Sequence, residues 1–232
     1  IAETLSKNSK IARDMVLLFE RKFDPANKDR KSSVRRLKLR IARALDRVLN
    51  SDEDRILRHY FNLIDVTLRT NFFQKKKNGD PKDYFSIKFD SHKIKGFPSP
   101  KPKSEIFVYS PRMEGIHLRG GKVARGGIRW SDRIEDYRTE TLDLMKSQMT
   151  KNAVIVPVGA KGGFVLKQPP IDTNKEALLA EGIACYKILI SGMLDITDNL
   201  VSAKIVHPLD VVCLDDEDPY LVVAADKGTA TF

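Results

Sequence analysis

From Ser104 to Phe232 the sequence alternates short apolar runs with stretches of helical period, and this alternation constrains the fold more than any other feature. Ile106-Phe107-Val108-Tyr109, Ala153-Val154-Ile155-Val156, Phe164-Val165-Leu166, Val211-Val212-Cys213-Leu214 and Leu221-Val222-Val223-Ala224-Ala225 are runs of the kind that form buried strands. Between them, Asp132 to about Lys151 puts Leu142, Met145 and Met149 on one helical face. Thr173 to Leu194 opens with Thr173 as N-cap and Glu176 three residues on. Strands separated by helices of this length predict an α/β fold: a mixed or parallel sheet flanked by helices.

The first part of the chain has a different grammar. Ile11, Met15, Leu18 and Phe19 make a helical stripe that Asp24-Pro25 ends, because proline cannot continue a helix. Arg30 to Asn50 carries Val34, Leu37, Ile41, Ala44, Leu45 and Val48 at helical spacing, with Arg35, Arg36, Lys38, Arg40, Arg43 and Arg47 on the other sides. Ser51, three residues before Asp54, opens a third helix in a capping-box pattern, with Ile56, Tyr60, Leu63, Ile64 and Thr67 on one side. Composition shifts near Phe73, so residues 1–73 read as a helical N-terminal region and 74–232 as the α/β domain. Tyr84–Phe89 alternates like a strand, and the proline-rich stretch from Phe97 to Pro102 reads as a stiff connector.

Hydrophobic residues make up 41% of the 232, which supports a real core and excludes disorder as the dominant state. No apolar run suggests the roughly 20 residues that cross a bilayer, and IAETLSKNSK has no signal-peptide core. Two cysteines, Cys185 and Cys213, build no disulfide framework, so a reducing, cytoplasmic setting is the default. The net charge of +10 admits nucleic acid, a membrane surface or small anions as partners. The basic stretch from Arg30 is either the solvated face of an amphipathic helix or a surface for nucleic acid or an acidic partner, and no nucleic-acid module accompanies it. The start at Ile1 and the stop directly after a strand-like run read as a piece of something longer.

Three points bear chemistry, each expected in a loop at a strand end, where open α/β sheets place ligands. Arg125-Gly126-Gly127-Ile128-Arg129 is either a tight turn with surface arginines or a close backbone approach flanked by carboxylate-binding forks. Lys161, in a loop among Gly159, Gly162 and Gly163, is either an exposed loop lysine or one whose pKa is lowered by desolvation and nearby cations enough for proton transfer. Asp226 is either a helix cap or a general acid/base at a sheet edge. His59, His92, His117 and His207 show no zinc spacing, and Asp215 to Asp218 reads as a solvated turn, so no metal is expected. No G-x-G-x-x-G occurs in the chain.

Together these segments resemble a known family. Lys122 to Phe164, containing RGGIR, MTKNAV and GAKGG, is similar to the substrate-binding segment of glutamate dehydrogenases, especially the large NAD-specific bacterial type. Asp218 to Phe232 resembles the segment with that family's catalytic aspartate. The resemblance implies that Lys161 and Asp226 are catalytic. It implies that Arg125, Gly126, Gly127, Lys151, Gly162 and Gly163 bind substrate, with Lys151 on the α-carboxylate and Arg125 where smaller enzymes have lysine. It further implies oxidative deamination of glutamate to 2-oxoglutarate, NAD held by a domain that would follow Phe232, and a homo-oligomer in the full-length protein. Nucleic acid and membrane are not expected partners. Another amino-acid dehydrogenase, or a basic module for nucleic acid or an acidic partner, is the alternative.

Overall fold

The structure, a computed structural model, describes residues 1–151, 158–170 and 174–232, excepting the side chain of Lys151. It divides into two compact units, residues 1–67 with 93–96 and residues 68–92 with 97–232.

The first unit is helical: α1 (Ala2–Lys7), α2 (Ser9–Phe23), α3 (Arg30–Leu45) and α4 (Ser51–Val66). Ile11, Met15 and Leu18 of α2, Ile41 and Leu45 of α3 and Leu57 of α4 form its core. α2 stops at Phe23 with Asp24 as C-cap, as the proline that follows requires. The N-cap of α4 is Asn50 rather than Ser51: its Oδ1 accepts from the amides of Asp52 and Glu53, each at 3.0 Å. Asparagine caps as well as serine, and its reach serves two orphan amides. The far end of α4 is closed by a side chain. The buried Lys22 ammonium donates to the carbonyls of Ile64 at 2.9 Å, Asp65 at 2.6 Å and Thr67 at 2.7 Å. These carbonyls sit where a helix runs out of its own donors. Burial pushes the pKa of Lys22 down to about 8. Part of the basic stripe on α3 is consumed locally: Arg40 forks Asp14, Arg36 meets Asp29 at 3.1 Å, and Lys38 pairs with Asp65. Lys31, Arg35 and Arg43 stay exposed.

The second unit carries strands β1 (Thr67–Thr70), β2 (Phe85–Asp90), β3 (Ser104–Tyr109), β4 (Met113–Arg119), β5 (Ala124–Trp130) and β6 (Val158–Leu166), then β7 (Asn199–Val201), β8 (Lys204–Val206) and β9 (Val222–Ala224). Helix α5 (Tyr137–Lys151) connects β5 to β6, and α6 (Lys175–Asp195) follows β6. The main sheet has the order β1-β2-β3-β4-β6-β5-β9; β7 and β8 form a separate hairpin. β2, β3, β4 and β6 pair antiparallel in succession, whereas β5 pairs parallel with both β6 and β9. This is the mixed sheet flanked by helices that the alternation predicts. One face packs Ile106, Val108, Met113, Ile128 and Phe164 against Cys185, Leu189 and Met193 of α6. On the other face lies α5, whose Thr141 and Gln148 press on Gly163 and Gly159 of β6.

Several sequence expectations are corrected. α5 begins at Tyr137, not Asp132, because the Ser131 hydroxyl accepts the Arg133 amide at 3.1 Å and Arg133 pairs with Asp136, closing a turn first. The N-cap of α6 is Asn174, whose Oδ1 accepts from the Glu176 amide at 2.9 Å. Thr173 and the expected strand at 153–156 lie outside the described residues. α6 is 21 residues long and apolar enough to cross a membrane by length and composition, against the expectation of no such run; Gly182, Cys185, Leu189, Gly192 and Met193 of it are buried.

Val211–Leu214 is not a strand, although the Leu214 amide donates to the Leu68 carbonyl at 3.1 Å. Of the acids that follow, Asp216 and Glu217 are exposed, as a solvated turn requires, but Asp215 and Asp218 are held by ions and fix the path of the segment. Arg69, with a side chain 0% exposed, donates to Asp198 at 2.7 and 3.1 Å and to Asp215 at 2.5 Å. Lys88 donates to Asp215 at 2.5 Å and Asp218 at 2.7 Å, and Arg119 also pairs with Asp218. Three cations from β1, β2 and β4 thus hold three carboxylates of the segment leading into β9.

His117 of β4 is 1% exposed, and among the described residues neither ring nitrogen has a hydrogen-bond partner. Burial, then the Arg119 charge, pushes its pKa from 6.5 down to about 3. The unfolded chain therefore binds a proton near pH 6.5 that the folded chain refuses until about pH 3. Stability is full above pH 6.5 and falls as the pH drops through that window, by about 2 kcal/mol at pH 5. His117→Leu is expected to flatten the urea-denaturation midpoint between pH 6.5 and 5. An unchanged slope would show that His117 does not titrate this way.

Candidate active site

The site is built where β6, β5 and β9 run parallel. Arg125 stands opposite Gly159 and Ile128 opposite Gly162, which sets Lys161 beside Gly127 on the face toward α5. Gly127 in turn stands opposite Ala224, and Asp226 follows two residues beyond the end of β9. The Lys161 ammonium meets the Asp226 carboxylate there, bridging residues 65 positions apart. The two side chains are 12% and 17% exposed, so the pair is largely out of water. Thr229 fixes the Asp226 turn: its hydroxyl donates to the Ile128 carbonyl at 2.7 Å and accepts from the Asp226 amide at 3.2 Å. The Lys227 amide donates to Asp226 Oδ1 at 2.7 Å and orients the carboxylate.

The expected loops at Arg125–Arg129 and around Lys161 are corrected: both runs lie inside strands, β5 and β6. Their glycines serve close approach rather than turning. A Cβ on Gly127 would lie 2.8 Å from Cβ and 3.0 Å from Oδ2 of Asp226. Cβ atoms on Gly126, Gly162 and Gly163 would meet the Ala160 carbonyl, Ile128 and the Thr141 hydroxyl at 1.6, 2.8 and 2.3 Å. Gly127→Ala is therefore expected to push Asp226 off Lys161 and lower kcat of the full-length protein at least about tenfold, as a misplacement near 1 Å does. The check is steady-state kinetics beside a melting curve; unchanged kcat would show that Asp226 tolerates the shift.

The candidate residues are not all placed alike. Lys161, Asp226 and Gly127 come together. Gly163 shares their face, Gly162 faces Ile128 on the opposite one, and a Cβ on Gly126 would run into the Ala160 backbone with Gln148 of α5 3.1 Å away. Arg125 shares the face of Gly127, is exposed, and makes no ion pair among the described residues. The side chain of Lys151 lies outside the described residues, at the end of α5.

Two neighbours, Ser131 and Glu140, are not marked by the sequence; both meet around Arg129, the second of the flanking arginines. Arg129 Nη1 donates to Glu140 Oε1 at 2.8 Å, and the Ser131 hydroxyl donates to Glu140 Oε2 at 2.7 Å. Burial opposes the Glu140 charge, but the Ser131 and Arg129 hydrogen bonds outweigh it and hold the carboxyl below its ordinary range. Burial, then the Arg129 charge, pushes the pKa of Lys161 below the usual lysine value, with Glu140 working against them. The Asp226 contact favours the ammonium, so the proton of Lys161 depends on keeping that partner. Beside the pair opens a cavity of about 500 Å³ lined by Arg129, Trp130, Ser131, Glu140, Lys227 and Gly228, among others.

The fit to other groups can be tested on the same residues. Asp198, His207 and Cys213 lie close enough to share a cation. Asp198 already accepts from Arg69, the Asp218 amide at 2.6 Å and His207 at 2.8 Å, so the arrangement completes the buried ion network. A dinucleotide does not fit the described strand-to-helix turns. Residues 131–136, between β5 and α5, have no glycine and carry Asp132, Glu135 and Asp136, which repel a pyrophosphate.

Comparison with known proteins matches residues 40–232 to the family described as "Bacterial NAD-glutamate dehydrogenase, catalytic domain". The chain belongs to this family. The relatives named NAD-specific glutamate dehydrogenase from Halomonas elongata and Pseudomonas aeruginosa are 56% and 58% identical to it over the whole chain. The one from Mycobacterium tuberculosis is 48% identical over the whole chain. The chain spans only 14–15% of the length of these relatives. Family membership makes it an oxidoreductase-type catalytic domain, consistent with a lysine and a carboxylate meeting over a parallel sheet.

Proposed function

We propose that this chain is the substrate-binding and catalytic segment of an NAD-dependent glutamate dehydrogenase, which converts L-glutamate to 2-oxoglutarate and ammonia. The observation that carries the reading is the Lys161–Asp226 contact, a proton donor–acceptor pair withdrawn from water on the face bearing Arg125. In this reading NAD, held by another part of the full-length protein, would supply the acceptor for the α-carbon hydride; the remaining work falls to this chain. The substrate ammonium displaces Lys161 from Asp226 and passes it a proton, leaving a neutral amine. Lys161, now without its counter-charge and still facing Arg129, gives its own proton to solvent and becomes a base. It removes a proton from the water that attacks the oxidised carbon. Asp226 returns its proton to the nitrogen and then takes the proton of the new hydroxyl as the carbon–nitrogen bond breaks, leaving 2-oxoglutarate and ammonia; Asp226 and Lys161 exchange their protons with solvent before the next turnover. Arg125 and Lys151 supply the two fixed cations that a dicarboxylate needs, and Gly126, Gly127, Gly162 and Gly163 give the backbone its close approach.

The reading extends to a soluble cytoplasmic homo-oligomer without nucleic-acid or membrane partners. The test is NADH formation by the purified full-length protein with glutamate, leucine and phenylalanine. Glutamate is expected to be preferred at least about 100-fold, because an apolar side chain leaves the cation proposed for the second carboxylate unpaired. A preference for leucine or phenylalanine would make the chain part of another amino-acid dehydrogenase. The 232-residue chain alone is expected to turn over nothing, and NADH formation by it would place the cofactor site within these residues.

A further inference from the structure

The polar face around Lys161 contains more charge than the proposed proton transfers use. The groups that face it are Asp226 after β9, Arg125 and Arg129 on β5, and Glu140 in the first turn of α5; β4 sets the uncharged Leu118 opposite it. Arg129 follows Gly127 by two residues and so shares its face, and its partner in register is Gly163, over which Thr141 of α5 sits. Glu140 is 14% and Arg129 26% exposed at the side chain. The two do not form a closed fork. Glu140 gives one oxygen to Arg129 and the other to Ser131, while Arg129 Nε is buried without a hydrogen-bond partner among the described residues. The pair is therefore monodentate, at 2.8 Å, and its two charges lie at different places around Lys161 in a partly buried site, so each acts on the lysine separately.

We infer that Arg129 and Glu140 are a positioning pair for Lys161, held by Ser131, whose opposed charges set how readily that amine gives up and regains its proton. The inference rests on the proposed role of Lys161 but concerns its charge state, which can be read without turnover. Arg129 repels the ammonium and Glu140 steadies it; Arg129 stands on β5 two residues beyond Gly127, on the face that carries Lys161, and Glu140 is bonded to it from α5. Neither touches the reacting atoms in this scheme, so their effect passes through the lysine.

The test measures acetylation of Lys161 by acetic anhydride in the full-length protein as a function of pH, quantified by mass spectrometry of the peptide that contains it. Only the neutral amine reacts, so the midpoint reports its protonation. Arg129→Gln is expected to raise the midpoint and Glu140→Gln to lower it, each by about half a pH unit or more, and the double variant to lie near the parent. Arg129→Lys should restore the parent midpoint. Single variants that shift in the same direction, or not at all, would overturn the inference, since a merely structural pair has no reason to move the midpoint in opposite senses. If Arg129→Gln does not fold, the near-isosteric Glu140→Gln decides alone, because a downward shift is required of it. Absence of glutamate oxidation in the parent would remove the proposed function and leave the labelling result standing.

Discussion

Lys161→Ala in the full-length protein is expected to lower kcat with glutamate by a factor of about 10³ or more while leaving the melting temperature within a few degrees. General acid–base catalysis alone contributes about 10² to 10⁴, and here the same group also carries positive charge beside the reacting carbon. The fold should survive, because the face around Lys161 rests on β5, β6 and α5 rather than on the ammonium. Asp226 keeps the Lys227 amide as a donor and is 17% exposed, so losing its ion pair does not strand a fully buried charge. Lys161→Arg sharpens the result. It keeps the charge but has no accessible neutral form, so it separates charge from proton transfer. The expectation is that both variants are inactive. Near-normal kcat in either one would remove Lys161 from the chemistry.

What sequence could and could not reveal about this site follows from the physics of each element. Apolar runs at Ile106–Tyr109 and Phe164–Leu166 are legible because burial on both faces of a central strand leaves no other composition. The strands β5 and β6 were read as loops at their functional ends because glycine-rich sequence usually signals turns. Here the glycines are admitted by neighbours distant in sequence: Thr141 over Gly163, Asp226 over Gly127. The pairing of Lys161 with Asp226 is legible as resemblance, since MTKNAV, GAKGG and AADKGT occur in one chain, but not as geometry. Glu140 was missed for a similar reason: on the sequence it is one acid among several near Asp136, and only its double hydrogen bond to Arg129 and Ser131 distinguishes it. The acidic run Asp215 to Asp218 misled most. Charged residues in sequence argue for solvent unless their partners are known, and the partners are Arg69, Lys88 and Arg119, each about 100 or more residues away.

That network carries the other large expectation. Asp198→Ala should destabilise the protein by about 3 kcal/mol, the low end of the cost of breaking a buried ion pair, because Arg69 keeps Asp215 as its remaining carboxylate. The position allows no relief from solvent: the side chains of Asp198 and Arg69 are both 0% exposed, so water cannot replace what is lost. The carboxylate accepts two bonds from Arg69, one from the Asp218 amide and one from His207. Its removal thus also frees the backbone at Asp218, eight residues before Asp226. Urea denaturation should show a much lower midpoint, and the residual folded protein should lose turnover beyond what its folded fraction explains, because the strand that delivers Asp226 is no longer held. The parent has a matching acid limb. Burial opposes the Asp218 charge, but Arg119 and Lys88 hold its pKa at about 2 against 3.8, so its contribution is present above pH 4 and is lost as the pH falls toward 2. Asp198→Ala, by loosening that pair, should shrink the acid limb as well as the midpoint. A variant that melts like the parent would mean that this segment is held by its apolar contacts, Val211 and Leu221 on the α6 core, and that the ions are incidental.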